Sequence, residues 1–306
     1  MIFMENSISV IFIAIIMGTL ARVLMIRVDY RQYPSYPQSF VSHLILGFVA
    51  ACLGAVVTPA FLTKDYGAVT FLALATAQFK DIRSMERDSL ERLENMELVR
   101  RGEAYIEDIA KRFEARNYVS FLTSFSVCTI SSILNHIFEL EVFLLLIVEI
   151  VFGFFLILFL KSILKPNTIA DIADIKEGKI HFKGPLLMVD EVVIMNIGYQ
   201  VSKDIILEKG MGITIYPKDE NAVATLANIG QRQAIIHNLA SQLGIRKDVD
   251  EPDFTPLARR EPSTGNISLF ILTMNNIPRD GIVIAKNVPV LESARRKPDG
   301  SEKKEG

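Results

Sequence analysis

Glu149 stands deep within an apolar stretch, residues 143–159, too far from either end for its side chain to reach water easily. A carboxyl in such a run is costly in hydrocarbon, and three roles account for one. It can hold a proton or ion, pair with a buried cation such as Arg22, or make a polar contact to a neighbouring helix. The neighbour with matching chemistry is residues 118–138, which carry Ser120, Thr123, Ser124, Ser126, Thr129, Ser131 and Ser132. Small hydroxyl residues let helices approach closely and hydrogen-bond across the gap. Gly153, one turn beyond Glu149, removes a side chain from the same contact. Plain interhelical packing explains the same residues without invoking an ion.

The other chemically capable side chains are scattered. Arg22 and His43 lie nearer the ends of their apolar runs, where snorkelling explains an arginine. Asn135 and His136 sit at the edge of theirs, an interfacial position. Both cysteines, Cys52 and Cys128, fall inside apolar runs and read as small packing residues. The polar C-terminal half has no cysteine, which suits a reducing compartment. No nucleophile elbow, zinc-binding His pair, Walker lysine loop or dinucleotide fingerprint occurs there. His181 and His237 have no Cys or carboxylate at ligand spacing, so neither a metal nor another cofactor is expected. Gly210-Met211-Gly212 reads as a turn between strands, and Gln231, Arg232 and Gln233 as a polar helix face, solvated or open to a partner or anion. The chain is therefore read as not an enzyme.

The elements that must position these residues divide at Pro166. Of the 306 residues, 50% are hydrophobic, and almost all long apolar runs precede that proline. They span residues 7–26, 40–62, 66–79, 118–138 and 142–164. A bilayer core needs about 20 helical residues. Four runs meet this; the third reaches only about 21 Å at 1.5 Å per residue. The first run lacks a basic leader, so it reads as a retained helix rather than a signal peptide. Arg27 and Arg31 follow it, a basic stretch from Lys80 to Arg116 lies between the third and fourth, and Lys161 and Lys165 close the fifth. Five spans with the N-terminus outside put every basic cluster in the cytosol.

Residues 80–101 read as one helix broken at Gly102. Residues 103–117 read as a short amphipathic helix, with Ile106, Ile109, Ala110 and Phe113 on one face, able to lie on the inner leaflet. After Pro166, β-like runs are expected at 179–182, 187–195, 201–207, 212–216, 267–274 and 281–285, with a further one at 288–291. A long helix is expected from Asp219 or Glu220 to Leu243, stopped by Gly244. The tail, residues 293–306, is charged and reads as disordered. Its bases Arg295, Arg296, Lys297, Lys303 and Lys304 alternate with acids, which weakens any lipid-binding role.

The stretch Ala104-Tyr105-Ile106-Glu107-Asp108-Ile109-Ala110 resembles the name-giving motif of the YIEGIA family, membrane proteins of endospore-forming bacteria. Tyr105, Ile106, Glu107, Ile109 and Ala110 match, and Asp108 stands where the family name has Gly. The order of apolar runs and Asn228-Ile229-Gly230-Gln231-Arg232-Gln233 are also similar to the family. The resemblance implies a role in sporulation, in building the spore envelope, and brings no catalytic residues.

The expected fold is thus a membrane all-α part of about five transmembrane helices with a C-terminal cytosolic α+β domain. Its divisions are 1–79, a helical linker 80–117, a hairpin 118–165, the α+β domain 166–292 and the tail. The expected function is a structural or assembly factor presenting a cytosolic platform to protein partners, with room for a homo-oligomer. The alternative is a transporter or channel component using Glu149. A net charge of -2 gives no reason to expect nucleic acid as a partner.

Overall fold

The computed structural model describes residues 2–29, 38–138, 140–245, 254–274 and 276–296. The chain divides into two units, each made of two chain pieces: Met1–Asp88 with Ile109–Lys165, and Ser89–Asp108 with Pro166–Gly306. Residues 80–117, expected as a separate linker, are thus shared between the two.

The first unit is helical: α1 (Ile2–Asp29), α2 (Gln38–Leu62), α3 (Tyr66–Ala77), α4 (Phe79–Glu94) as far as Asp88, α5 (Glu103–Phe138) from Ile109, and α6 (Val142–Ile163). Among the described residues, four helices, α1, α2, α5 and α6, are long and apolar enough to cross a membrane. With 12 residues, α3 falls short of that length. Val10, Ala14, Met17 and Ala21 of α1 pack with Ala55 of α2, Val127 and Cys128 of α5 and Ile157 of α6. Side chains such as Phe143, Phe155 and Phe159 point outward, the inverse of a water-soluble bundle. Small residues set the helix spacing: a Cβ on Gly18 would lie 2.6 Å from the Ser120 carbonyl, and one on Gly54 would collide with the Phe121 carbonyl. Thr58 and Thr129 share a hydroxyl hydrogen bond of 2.7 Å between α2 and α5.

Two helical expectations change. The helix expected over 80–101 ends at Glu94, because its carboxylate accepts from the backbone N–H groups of Arg101 (2.9 Å) and Gly102 (3.0 Å) and folds the intervening residues back. The short amphipathic helix is the start of the 36-residue α5. Its apolar face cannot rest on a leaflet, since Ile106, Ile109, Ala110 and Phe113 are buried in protein.

The second unit holds α7 (Ile169–Ile172), β1 (Ala173–Glu177), β2 (Ile180–Lys183), β3 (Leu186–Val189), β4 (Val192–Asn196), α8 (Gln200–Lys209), β5 (Gly210–Pro217), α9 (Glu220–Ala227), α10 (Ile229–Leu243), β6 (Leu257–Arg260), β7 (Ile267–Leu272) and α11 (Pro278–Asn287). An antiparallel sheet in the order β1-β5-β7-β6 forms the middle. All six residues of β7 are buried, as expected of a strand covered on both faces. One face meets the antiparallel β2-β3-β4 sheet and α8, with Phe270 and Leu272 packed on Leu187, Ile194 and Ile206. On the other face, Gly281 of α11 lies against Met211 and Ile213 of β5.

Sequence patterning misplaces several of these elements. The run 187–195 is two strands, because Asp190 takes a positive φ of 51° and its carboxylate accepts from Lys179 N (2.9 Å) and Thr214 Oγ1 (2.5 Å). The run 201–207 is helix α8, with Ser202 and Ile206 buried at a spacing of four. The run 281–285 is helix α11, opened by Pro278 in its first turn with Asp280 just after. Residues 288–291 form no strand beyond a single bridge between Thr168 and Pro289. The long helix breaks at Asn228, whose side chain caps α10 by accepting from Gln231 N at 3.2 Å. Gly210-Met211-Gly212 opens β5 instead of turning. Gly244 does end α10, at φ 73°. Of the tail, residues 293–296 are ordered, with Ala294 buried and its N–H bonded to the Leu291 carbonyl; residues 297–306 lie outside the described residues.

Candidate functional site

Among the described residues, each unit buries a polar constellation around a residue singled out by the sequence. In the helical unit, α6 turns a single stripe inward: Leu145, Glu149, Gly153 and Ile157, each four residues on from the last. Glu149 is 1% exposed. Its carboxyl makes no hydrogen bond among the described residues. The polar group facing it is the Ser131 hydroxyl of α5, which stands outside hydrogen-bond geometry. Met17 of α1 and Val127 of α5 close on Gly153, one turn away, as a bare glycine permits.

The expected partnership of Arg22 with Glu149 is not made. The Arg22 Nε donates to the His43 carbonyl at 3.3 Å, and its guanidinium sits 4.9 Å from the centre of the Phe113 ring. His43 packs on the same ring at 4.3 Å. Nor does Arg22 snorkel; it is 0% exposed. Asn135 is half-buried and His136 exposed, at the end of α5. Cys52 and Cys128 are free thiols on different helices. Among the described residues, no three His, Cys, Asp or Glu come close enough to hold a metal ion.

The second constellation joins the motif segment 99–108 to α10 within one unit. The Val99 carbonyl accepts from His237 Nδ1 at 2.7 Å, and the Arg100 carbonyl from Gln233 Nε2 at 2.5 Å. Asn238 donates from Nδ2 to Tyr105 Oη at 3.1 Å and to the Ala234 carbonyl at 2.8 Å. The Tyr105 and His237 rings meet edge to face at 6.3 Å. Gly230 lets Ala104 seat against the start of α10; a Cβ there would fall 2.8 Å from the Ala104 Cβ. Burial is the main force lowering the His237 pKa; the Val99 bond opposes it, and Arg101 adds to it.

The motif residues separate by role. Tyr105 and Ile106 are buried. Glu107 is half-buried, and Ile109 and Ala110 are buried where α5 enters the helical unit. Asp108, at the position where the family name has glycine, accepts from Glu292 N at 3.3 Å. Gln231 is a corrected expectation. It is not solvated but buried, donating to the Pro289 carbonyl (3.0 Å) and accepting from Leu291 N (2.7 Å). Arg232 is half-buried and donates to the Ala227 carbonyl at 3.4 Å. Burial, then Arg260 and Arg259, lowers its pKa. His181 and His237 share no site; His181 lies on β2 near the Lys179 carbonyl.

Sequence reasoning missed His237, Asn238 and Gln233 as partners of residues 99–105. Their separations of 133 to 138 residues carry no local signal.

This arrangement holds peptide carbonyls and amide groups in fixed bonds. Comparison with known proteins agrees with the motif reading. The model of the family described as YIEGIA protein matches residues 10–301. The chain is 40% identical, over 295 residues and 96% of each chain, to YphB of Bacillus subtilis (strain 168), a protein described as uncharacterized. No solved structure matches. With the match running over nearly the whole chain, this protein belongs to the YIEGIA family.

Proposed function

We propose that this is an integral membrane sporulation protein, a structural or assembly factor for the spore envelope that presents a folded platform to protein partners. One observation carries the reading: the family motif and the residues just before it spend polar groups on internal architecture. Tyr105, Asp108 and the carbonyls of Val99 and Arg100 all bond within the C-terminal unit. A motif built this way shapes a surface. The sporulation role rests on the family likeness.

The same proposal takes five spans, with α3 continuing across a locally thinned bilayer, the N-terminus outside and the C-terminal unit in the cytosol. Reporters placed after Lys165 and in the link at 139–141 should report opposite sides, with Lys165 inside. Crosslinking and pull-down of the full chain from sporulating cells tests the assembly role. Specific envelope-assembly proteins recovered with the wild type, and lost when Tyr105→Ala disturbs the motif at normal abundance, are expected. Recovery of lipid alone would refute it.

A second reading, a transporter or channel component, is favoured by one observation: the Glu149 carboxyl is buried without a hydrogen bond among the described residues.

A further inference from the structure

The buried face of α5 carries a column of polar groups. Asn117, Ser120, Thr123 and Ser131 are buried within protein, at most 1% exposed. The Asn117 amide and the three hydroxyl oxygens find no hydrogen-bond partner among the described residues. They recur at spacings of three, three and eight, so they share one side of the helix. The column spans about 21 Å at 1.5 Å per residue, two-thirds of a bilayer core. Glu149 stands opposite its Ser131 end. Hydroxyl groups both donate and accept, but these four polar groups do not bond to one another, and buried Val127 separates Thr123 from Ser131 on the same face, so Ser131 is the member that serves Glu149. Buried polar atoms left without protein partners are rare, and each asks for an explanation.

The surroundings of Glu149 narrow the ligand. From α5 come Ser131 and the Cys128 thiol, the titratable neighbour. From α1 comes Met17, against Gly153. The cation of α1, Arg22, is engaged by the His43 carbonyl and Phe113. One carboxyl and one hydroxyl are too few oxygens for a divalent cation, which takes six or more. They suffice for a proton.

We propose that Glu149 is a proton-exchanging site within the helical unit, with the buried Ser131 hydroxyl as its polar neighbour. The inference deepens the transport reading and rests on it only for direction of flow. The chemistry is a single transfer. A proton from water bonds to one carboxyl oxygen of Glu149 and later leaves to water, and no other bond forms or breaks. On ionisation the Ser131 hydroxyl, outside hydrogen-bond geometry in the structure, turns to donate to the carboxylate.

The test uses the full chain in phosphatidylcholine vesicles and dicyclohexylcarbodiimide, which attacks protonated carboxyls in apolar surroundings. Adducts are located by peptide mass. Glu149 should be labelled, at a rate falling about tenfold per pH unit above its titration point. Excess sodium at fixed pH should leave the rate unchanged. Glu149→Gln should lose the adduct, and Ser131→Ala should raise the titration point. Three results overturn the proposal: no adduct on the folded chain when the detergent-denatured chain is labelled, a rate independent of pH, or protection by sodium. These readings come from the unaltered chain, so misfolding of a variant does not blunt them. A pH-sensitive dye inside the vesicles separates the two ideas. Labelling as described with a static internal pH keeps the site and removes transport.

Discussion

His237 donates from Nδ1 to the carbonyl of Val99 at 2.7 Å, across 138 residues of chain. The bond ties the loop after α4 to the middle of α10. It also requires the proton to be on Nδ1, leaving Nε2 as the site that protonates at low pH. Burial lowers the pKa of this histidine from its ordinary 6.5. The unfolded chain therefore binds a proton before the folded one does. The stability contributed is fully present above pH 6.5 and is lost as pH falls from there towards the folded value. Hydrogen exchange of α10 in the detergent-solubilised full chain, corrected for the intrinsic slowing of exchange towards acid, should show falling protection over that window, and His237→Gln should flatten the dependence.

Tyr105→Phe removes one hydroxyl and leaves the ring in place. The Asn238 amide keeps its bond to the Ala234 carbonyl, so the cost should be about 1 kcal/mol. Tyr105→Ala also opens a cavity and should cost about 3–5 kcal/mol. Denaturant titration of the full chain, followed by exchange at residues 99–105, separates the two. Equal effects would mean that the hydroxyl, not the ring, holds the segment.

Gln231→Leu should be worse than its shape suggests. It leaves the Pro289 carbonyl and the Leu291 N–H buried without their partner, at about 1–3 kcal/mol. Limited proteolysis should then cut near residues 288–296 in the variant and spare the wild type.

Asp108→Gly puts back the residue of the family name. It should nonetheless destabilise this chain. Glycine inside a helix costs about 1 kcal/mol, and the Glu292 N–H loses its acceptor. Asp108→Asn should be milder because it retains an acceptor. Thermal unfolding of the three proteins in one detergent gives the order.

Gly54→Leu should disrupt the helical unit, since even a Cβ at this position runs into the Phe121 carbonyl. The expected result is loss of the folded protein from the membrane fraction. Val56→Leu on the exposed side of the same helix should be silent.

Legibility in the sequence followed the range of the forces. The four long helices were plain because each apolar run alone satisfies the length that a bilayer demands. Glu149 was plain for the same reason: its cost is set by its neighbours in the chain. The turn at Asp190 was not, because a carboxylate bonded to Lys179 and Thr214 splits a run that looks continuous. Helices α8 and α11 were mistaken for strands, since Ile205 to Leu207 and Ile282 to Ile284 are runs of apolar, mostly β-branched residues. Tertiary contacts decided them, although Pro278 and Asp280 were a helix-start signal available for α11. Gln231 looked solvated because the segment that buries it lies 58 to 60 residues further on.

The C-terminal unit borrows Ser89–Asp108 from the far side of two long helices. During translation that piece leaves the ribosome first, while its partners Asn238 and Glu292 follow 133 and 184 residues later. At about 5–20 residues per second, Tyr105 and Ile106 wait on the order of ten seconds for the surfaces that cover them. Helices α5 and α6 are synthesised in that interval. A nascent chain stalled before residue 238 would therefore display a bare apolar face, the kind of surface that chaperones and proteases inspect.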